Sequence, residues 1–202
     1  DNYKIMRKLL VNNTSRACVN ARDSRARTPL LYAAEYVDAT RLLIDFGADV
    51  NVCDVDGVTP LIVAASVLPI DEGVDIVRLL LDAGADAKTS DSDGLTALHL
   101  ACGLDNDETA KLLFKRGADV NANGTSATPL HIAAEDGAVE CMRLLVKWGG
   151  DVHAKSANDG KTPLHAAVCA ERKSGVTQLL VDAGADVNAT DYDGATPMHE
   201  LL

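Results

Sequence analysis

Four of the five histidines, His99, His131, His165 and His199, stand three residues after a threonine in the string Thr-(Pro/Ala)-(Leu/Met)-His. Imidazoles in register are what a metal site or a proton relay requires, because the neutral ring is a ligand and its charge changes near neutral pH. Identical placement in every copy argues instead for a local hydrogen bond inside the Thr-x-x-His turn. Aspartates recur as Asp56-Gly57, Asp93-Gly94, Asp159-Gly160 and Asp193-Gly194, shortly before the threonines. Asp-Gly favours a tight turn, since both residues accept positive φ. No D-x-D-x-D-G-x5-E string exists, so these turns do not read as calcium loops. The five cysteines, Cys18, Cys53, Cys102, Cys141 and Cys169, are odd in number and lack C-x-x-C spacing, which points to a reducing compartment. Cys102 and Cys141 fall beside apolar residues on helices and read as buried fillers. There is no glycine-rich phosphate loop, no Gly-x-Ser-x-Gly, and no nucleophile whose nearby base the repetition leaves unexplained. The chain is expected to be no enzyme and to need neither cofactor nor metal.

The elements that carry these residues repeat. Thr128 and Pro129 start a helix, because threonine can accept from an orphan N–H and proline at the first helical position loses nothing. Leu130, Ala133 and Ala134 then make a narrow apolar stripe, with alanines that admit a close neighbour. Gly117 follows Leu112, Leu113 and Phe114, where a helix end calls for positive φ. The same starts occur at Thr28, Thr59, Thr96, Thr128, Thr162 and Thr196, at intervals of 31, 37, 32, 34 and 34 residues. Glycine stops recur at Gly47, Gly84, Gly117, Gly149 and Gly184.

A period near 33 carrying T-P-L-H-x-A resembles the ankyrin-repeat family over essentially the whole length. The resemblance implies an all-α solenoid of stacked helix-turn-helix units with β-hairpin-like fingertips, one domain over 1–202. It comprises a partial repeat at 1–27, repeats starting near 28, 59, 96, 128 and 162, and an incomplete one at 196–202. Residues 2–12 read as a second helix, with Asn12 or Asn13 in the role of the glycine stop. The first repeat's helices are expected near 29–36 and 38–46. Ser66–Gly73 lengthens the second repeat and is expected to form a partly apolar loop broken by Pro69. Residues 170–174 make a longer connection in the fifth. Ala26 and Ser126 stand where the fingertip glycine belongs, so fingertips one and four are expected to depart in shape. Both end surfaces are apolar, which suggests a piece of a longer protein.

What the resemblance implies about function is protein–protein recognition along a concave face of fingertips and first helices. Carried over by position, the contacts are Arg25 and Tyr36, then Val55, Asp56, Val67, Ser92, Asp93 and Leu104. Further on they are Glu135, Asp136, Asn158, Asp159, Val168, Tyr192 and Asp193. Asn51, Asn121 and Asn188 occupy the slot that steadies the hairpin in the family and is sometimes β-hydroxylated; His153 replaces the asparagine in one copy. The implied roles are a scaffold or adaptor, such as a ubiquitin-ligase substrate adaptor or signalling regulator. A regulatory segment of a larger enzyme or ion channel, or an intracellular pathogen effector, fits the same residues.

Charge narrows the partner. The net charge is −11, and residues 1–27 hold +5, leaving −16 for the remainder. So acidic a body repels nucleic acid and anionic lipid. It favours a protein segment rich in Lys or Arg. No apolar run reaches the length of a membrane span. The expected setting is the cytoplasm, with the nucleus open.

Overall fold

The computed structural model describes residues 2–12, 18–67, 70–124, 127–169 and 175–201. Asn13, Pro69, Ser126 and residues 170–174, on which several expectations rest, lie outside them. The chain divides into two compact units, 1–92 and 93–202. Unit 1 contains α1 (Asn2–Asn12), α2 (Pro29–Ala33), α3 (Val37–Asp45), α4 (Pro60–Ala65) and α5 (Ile70–Asp82). Unit 2 contains α6 (Ala97–Gly103), α7 (Asp107–Lys115), α8 (Pro129–Asp136), α9 (Val139–Lys147), α10 (Pro163–Cys169) and α11 (Val176–Asp182). A 3-10 turn, Pro197–Leu201, follows.

Each helix pair is a first helix opened by threonine and a second helix closed by glycine, the second being the longer in the first four pairs. Thr28, Thr59, Thr96 and Thr128 hold extended backbone, with φ between −104° and −90°, immediately before their helices. The chain leaves each second helix through a glycine at positive φ, from 84° at Gly47 to 94° at Gly84. That conformation costs an L side chain about 1 kcal/mol or more, so a glycine there stops the helix without strain.

Within unit 1, α2 packs on α4 and α3 on α5; within unit 2, α6, α8 and α10 form one layer and α7, α9 and α11 the other. The layers meet on two leucine ladders. Leu30, Leu61, Leu98, Leu130 and Leu164 of the first helices are each at most 2% exposed. Leu43, Leu80, Leu113, Leu145 and Leu180 of the second helices are at most 1% exposed. Ala34, Ala64, Ala101, Ala133 and Ala134 are fully buried and let the first helices lie close together. At roughly 1.5–3 kcal/mol per buried leucine, these ladders dominate the stabilisation of each unit.

Three expectations change. The first helix of the first repeat ends at Ala33 rather than Tyr36, because Tyr36 takes up extended backbone ahead of α3. The Ser66–Gly73 insertion is not all loop: Ile70–Gly73 winds into α5, which runs 13 residues against 9 in α3, α7 and α9. Fingertip one does not depart in backbone shape, since Ala26 adopts φ 61° in the glycine slot.

Candidate protein-interaction surface

Three fingertips are held by an aspartate side chain, Asp23, Asp54 or Asp191, that accepts backbone N–H groups. Asp54 Oδ1 accepts the N–H groups of Asp56 and Val58 at 3.0 Å each, while Asp54 N–H donates to the Val58 carbonyl at 3.1 Å. Asp191 does the same for Asp193 and Ala195. At the first tip, desolvation pushes the Asp23 carboxyl up. Donors from the Arg27 and Arg25 backbone, the Tyr32 hydroxyl and the Arg27 side chain outweigh it and hold the group well below the usual carboxylate range. This cage keeps the shape that Ala26 would otherwise strain. The glycine missing from the motif is replaced by hydrogen bonds.

Neighbouring tips are joined through main-chain groups. Val55 N–H donates to Arg25 O at 3.0 Å, Ser92 N–H to Asp56 O at 2.8 Å, and Tyr192 N–H to Asp159 O at 2.8 Å. Unit 1 therefore brings Arg25, Val55, Asp56 and Ser92 into one row, all exposed. Unit 2 brings Asn158, Asp159, Tyr192 and Asp193 together, also exposed, and holds Asp93 on a separate tip. Tyr36 is 62% exposed, Val55 61% and Tyr192 64%. Glu135 and Asp136 are exposed at the end of α8, whereas Leu104 and Val168 are half-buried. Val67 is the misfit in the set. It is only 9% exposed, because its backbone and Cβ lie against Gly73 of the lengthened α5.

The motif histidines act inside unit 2. His131 Nδ1 lies 3.2 Å from Thr128 N–H and 2.8 Å from its hydroxyl, and Nε2 lies 3.0 Å from the Lys161 carbonyl in the next repeat. A backbone donor on Nδ1 and a carbonyl on Nε2 fix the neutral Nε2–H tautomer. His99 and His165 repeat this with Ala127 O and Ala195 O. The turn is local, as expected, but the ring also ties one repeat to the next. Both nitrogens are thereby occupied, and among the described residues no group of three or more His, Cys, Asp or Glu is placed to hold a metal ion.

Asparagines staple the other edge. Asn51 Nδ2 donates to Gly84 O at 3.0 Å and its Oδ1 accepts from Asp86 N–H at 2.9 Å. Asn121 reaches Gly149 and Asp151, and Asn20 reaches Gly47 and Asp49, in the same register. These side chains cross to the following repeat rather than serving only their own hairpin.

The repeated cap, staple and glycine stop agree with a family comparison. The family model described as Ankyrin repeats (3 copies) matches residues 1–88, 69–124 and 122–191. The chain belongs to the ankyrin-repeat family. Rabankyrin-5 of Mus musculus is 31% identical over 104 residues, and Rabankyrin-5 of Homo sapiens 31% over 110. Each alignment covers 52% of this chain but only 7% of the relative.

In this ankyrin-repeat chain the acidic row is less uniform than the sequence suggests. Asp56 forms an ion pair with Arg25, both side chains 54% exposed, so that part of unit 1 is locally neutralised. Glu35 and Glu72 escaped the sequence reading. With Tyr36, Ser66 and Val67 they line an open groove of about 360 Å³. The only signal for Glu72 was its place in the insertion, and the helical turn that presents it was not foreseen. No helix among the described residues is long and apolar enough to cross a membrane.

Proposed function

We propose that this chain is the recognition part of a larger scaffold or adaptor protein, binding a Lys/Arg-rich segment of a partner across its fingertips and first helices. The observation that carries the reading is the tip-to-tip main-chain bonding, which fixes a row of exposed side chains in advance of binding. A preformed surface loses little conformational entropy on association. Tyr36, Val55 and Tyr192 supply apolar anchors between carboxylates, and aromatic anchors dominate binding energy at such surfaces. Unit 2 carries 16 acidic against 9 basic residues, a balance that steers a cationic segment. The five cysteines, odd in number and without C-x-x-C spacing, agree with work in the cytoplasm.

The test is site-specific capture. A photoreactive phenylalanine at Tyr36 or Tyr192 should crosslink partner peptides rich in Lys and Arg. The same group at Arg143, on a second helix, should not. Charge reversal by Glu135→Lys with Asp193→Lys should leave folding intact and slow association, most clearly at low salt. Crosslinking confined to Arg143, or kinetics indifferent to the reversal, would refute the reading.

A further inference from the structure

The second helices of unit 2 carry a surface that the fingertip reading does not use. The rings of Phe114 and Trp148 stack with centroids 4.2 Å apart and planes within 4°, and Phe114 remains 37% exposed. They occupy the last turn of α7 and the end of α9. Around them stand Lys115, Arg116 and Lys147, all exposed.

Comparison between repeats shows that the fold does not require this composition. The position of Lys115 and Lys147, two before the glycine stop, is Asp45, Asp82 and Asp182 in the other three repeats. A cation at a helix C-terminus complements the macrodipole, yet three helices end on aspartate there. The positions of the rings also vary: Trp148 corresponds to Phe46, Ala83, Arg116 and Ala183, and Phe114 to Ile44, Leu81, Val146 and Val181. Two neighbouring acids pair within their own helices. Asp107 pairs with Lys111 and Glu140 with Arg143 in the helices' first turns. The carboxylates of Asp119 and Asp151 accept from the backbone N–H groups of Asn121 and His153. In a chain of net charge −11, exposed cations thus stand around a stacked ring pair.

We propose that this patch docks an acidic protein segment carrying an apolar or aromatic anchor, distinct from the basic segment assigned to the fingertips. Lys115 and Lys147 meet its carboxylates, and the anchor lies against the Phe114–Trp148 stack. The cations steer the encounter, while the rings contribute desolvated contact area. A nucleic acid strand would find similar cations and rings, but the acidic body disfavours it.

Trp148 is the only tryptophan of the chain, so its fluorescence reports directly on the patch. The probe is a 12-residue peptide of Asp and Glu with one central Phe, titrated beside a Lys/Arg peptide of the same design and a single-stranded oligonucleotide. The acidic peptide should bind saturably and shift the emission, and added salt should weaken binding. Lys115→Asp with Lys147→Asp installs residues that the same fold already carries, so circular dichroism should be unchanged while affinity falls about tenfold. Trp148→Ala, followed by calorimetry, should also weaken binding. No emission change up to millimolar peptide, equal binding by the double variant, or preferential binding of the oligonucleotide or the basic peptide would each overturn the proposal.

Discussion

At the scale of single residues, His131 links stability to pH. Burial pushes its imidazole below the ordinary value, and its neutral tautomer caps α8 and grips Lys161 O. The unfolded chain therefore binds the proton more readily than the folded one. Stability from this group is fully present above about pH 6.5 and is lost as pH falls through the lower folded value, by up to about 1.4 kcal/mol per pH unit. Urea titrations at pH 7.5 and 5.0 should show it. His131→Leu, the residue type at Leu31 in the first repeat, should flatten the difference. Position within the ladder decides a second prediction. Leu145 is fully buried and Leu144 half-buried, so Leu145→Ala should cost about 2–5 kcal/mol and Leu144→Ala clearly less. Denaturant midpoints would rank them. The sequence showed the histidines to be structural by their repetition. It could not show the reach of Nε2, since the accepting carbonyls lie 28 to 30 residues away.

At the scale of elements, Asn20, Asn51 and Asn121 make staples, and His153 stands in that slot without the amide that makes them. Around His153, Val152, Lys155, Asp186, Asn188 and Thr190 line an open space of about 350 Å³. An asparagine there has Gly184 and Asp186 in the register that Asn51 finds in Gly84 and Asp86. His153→Asn should therefore stabilise unit 2 by about 1 kcal/mol, one net hydrogen bond or slightly more, read as a rise in melting temperature. The helix starts and stops were legible because threonine, proline and glycine act locally. The helical turn Ile70–Gly73 was not, because an insertion's length does not say which of its residues join the neighbouring helix. Nor was the shape of the first fingertip, where Ala26 reads as a defect until the Asp23 cage is seen.

At the scale of the whole molecule, protection should follow the ladders. Ile5, Leu9 and Val11 of α1 are each more than half exposed, as is Met198, and Leu201 is 50% exposed. Amide hydrogen exchange should be fast in α1 and beyond residue 190, and slowest in α9 around Leu145. Equal protection at Leu201 and Leu145 would contradict this picture of the stack. The repeat class was legible from one end of the chain to the other, because two motifs recur in phase. The contact surface was legible only as a set of positions. Arg25 pairs with Asp56 a repeat away, and Val67 sinks inward against the helical turn of the insertion; neither is revealed by position in the motif.

The main-chain bonds between fingertips also make this scaffold an engineering substrate. Because Val55 and Ser92 are tethered through their N–H groups, what those side chains are matters little to the tether, whereas the Tyr192 ring also lies against Gly160. Randomised libraries at Arg25, Val55, Ser92 and Asn158 should yield mostly folded members, provided that Asp23, Asp54 and Asp191 keep their turns. Selection for new ligands could then act on binding with little drag from misfolding.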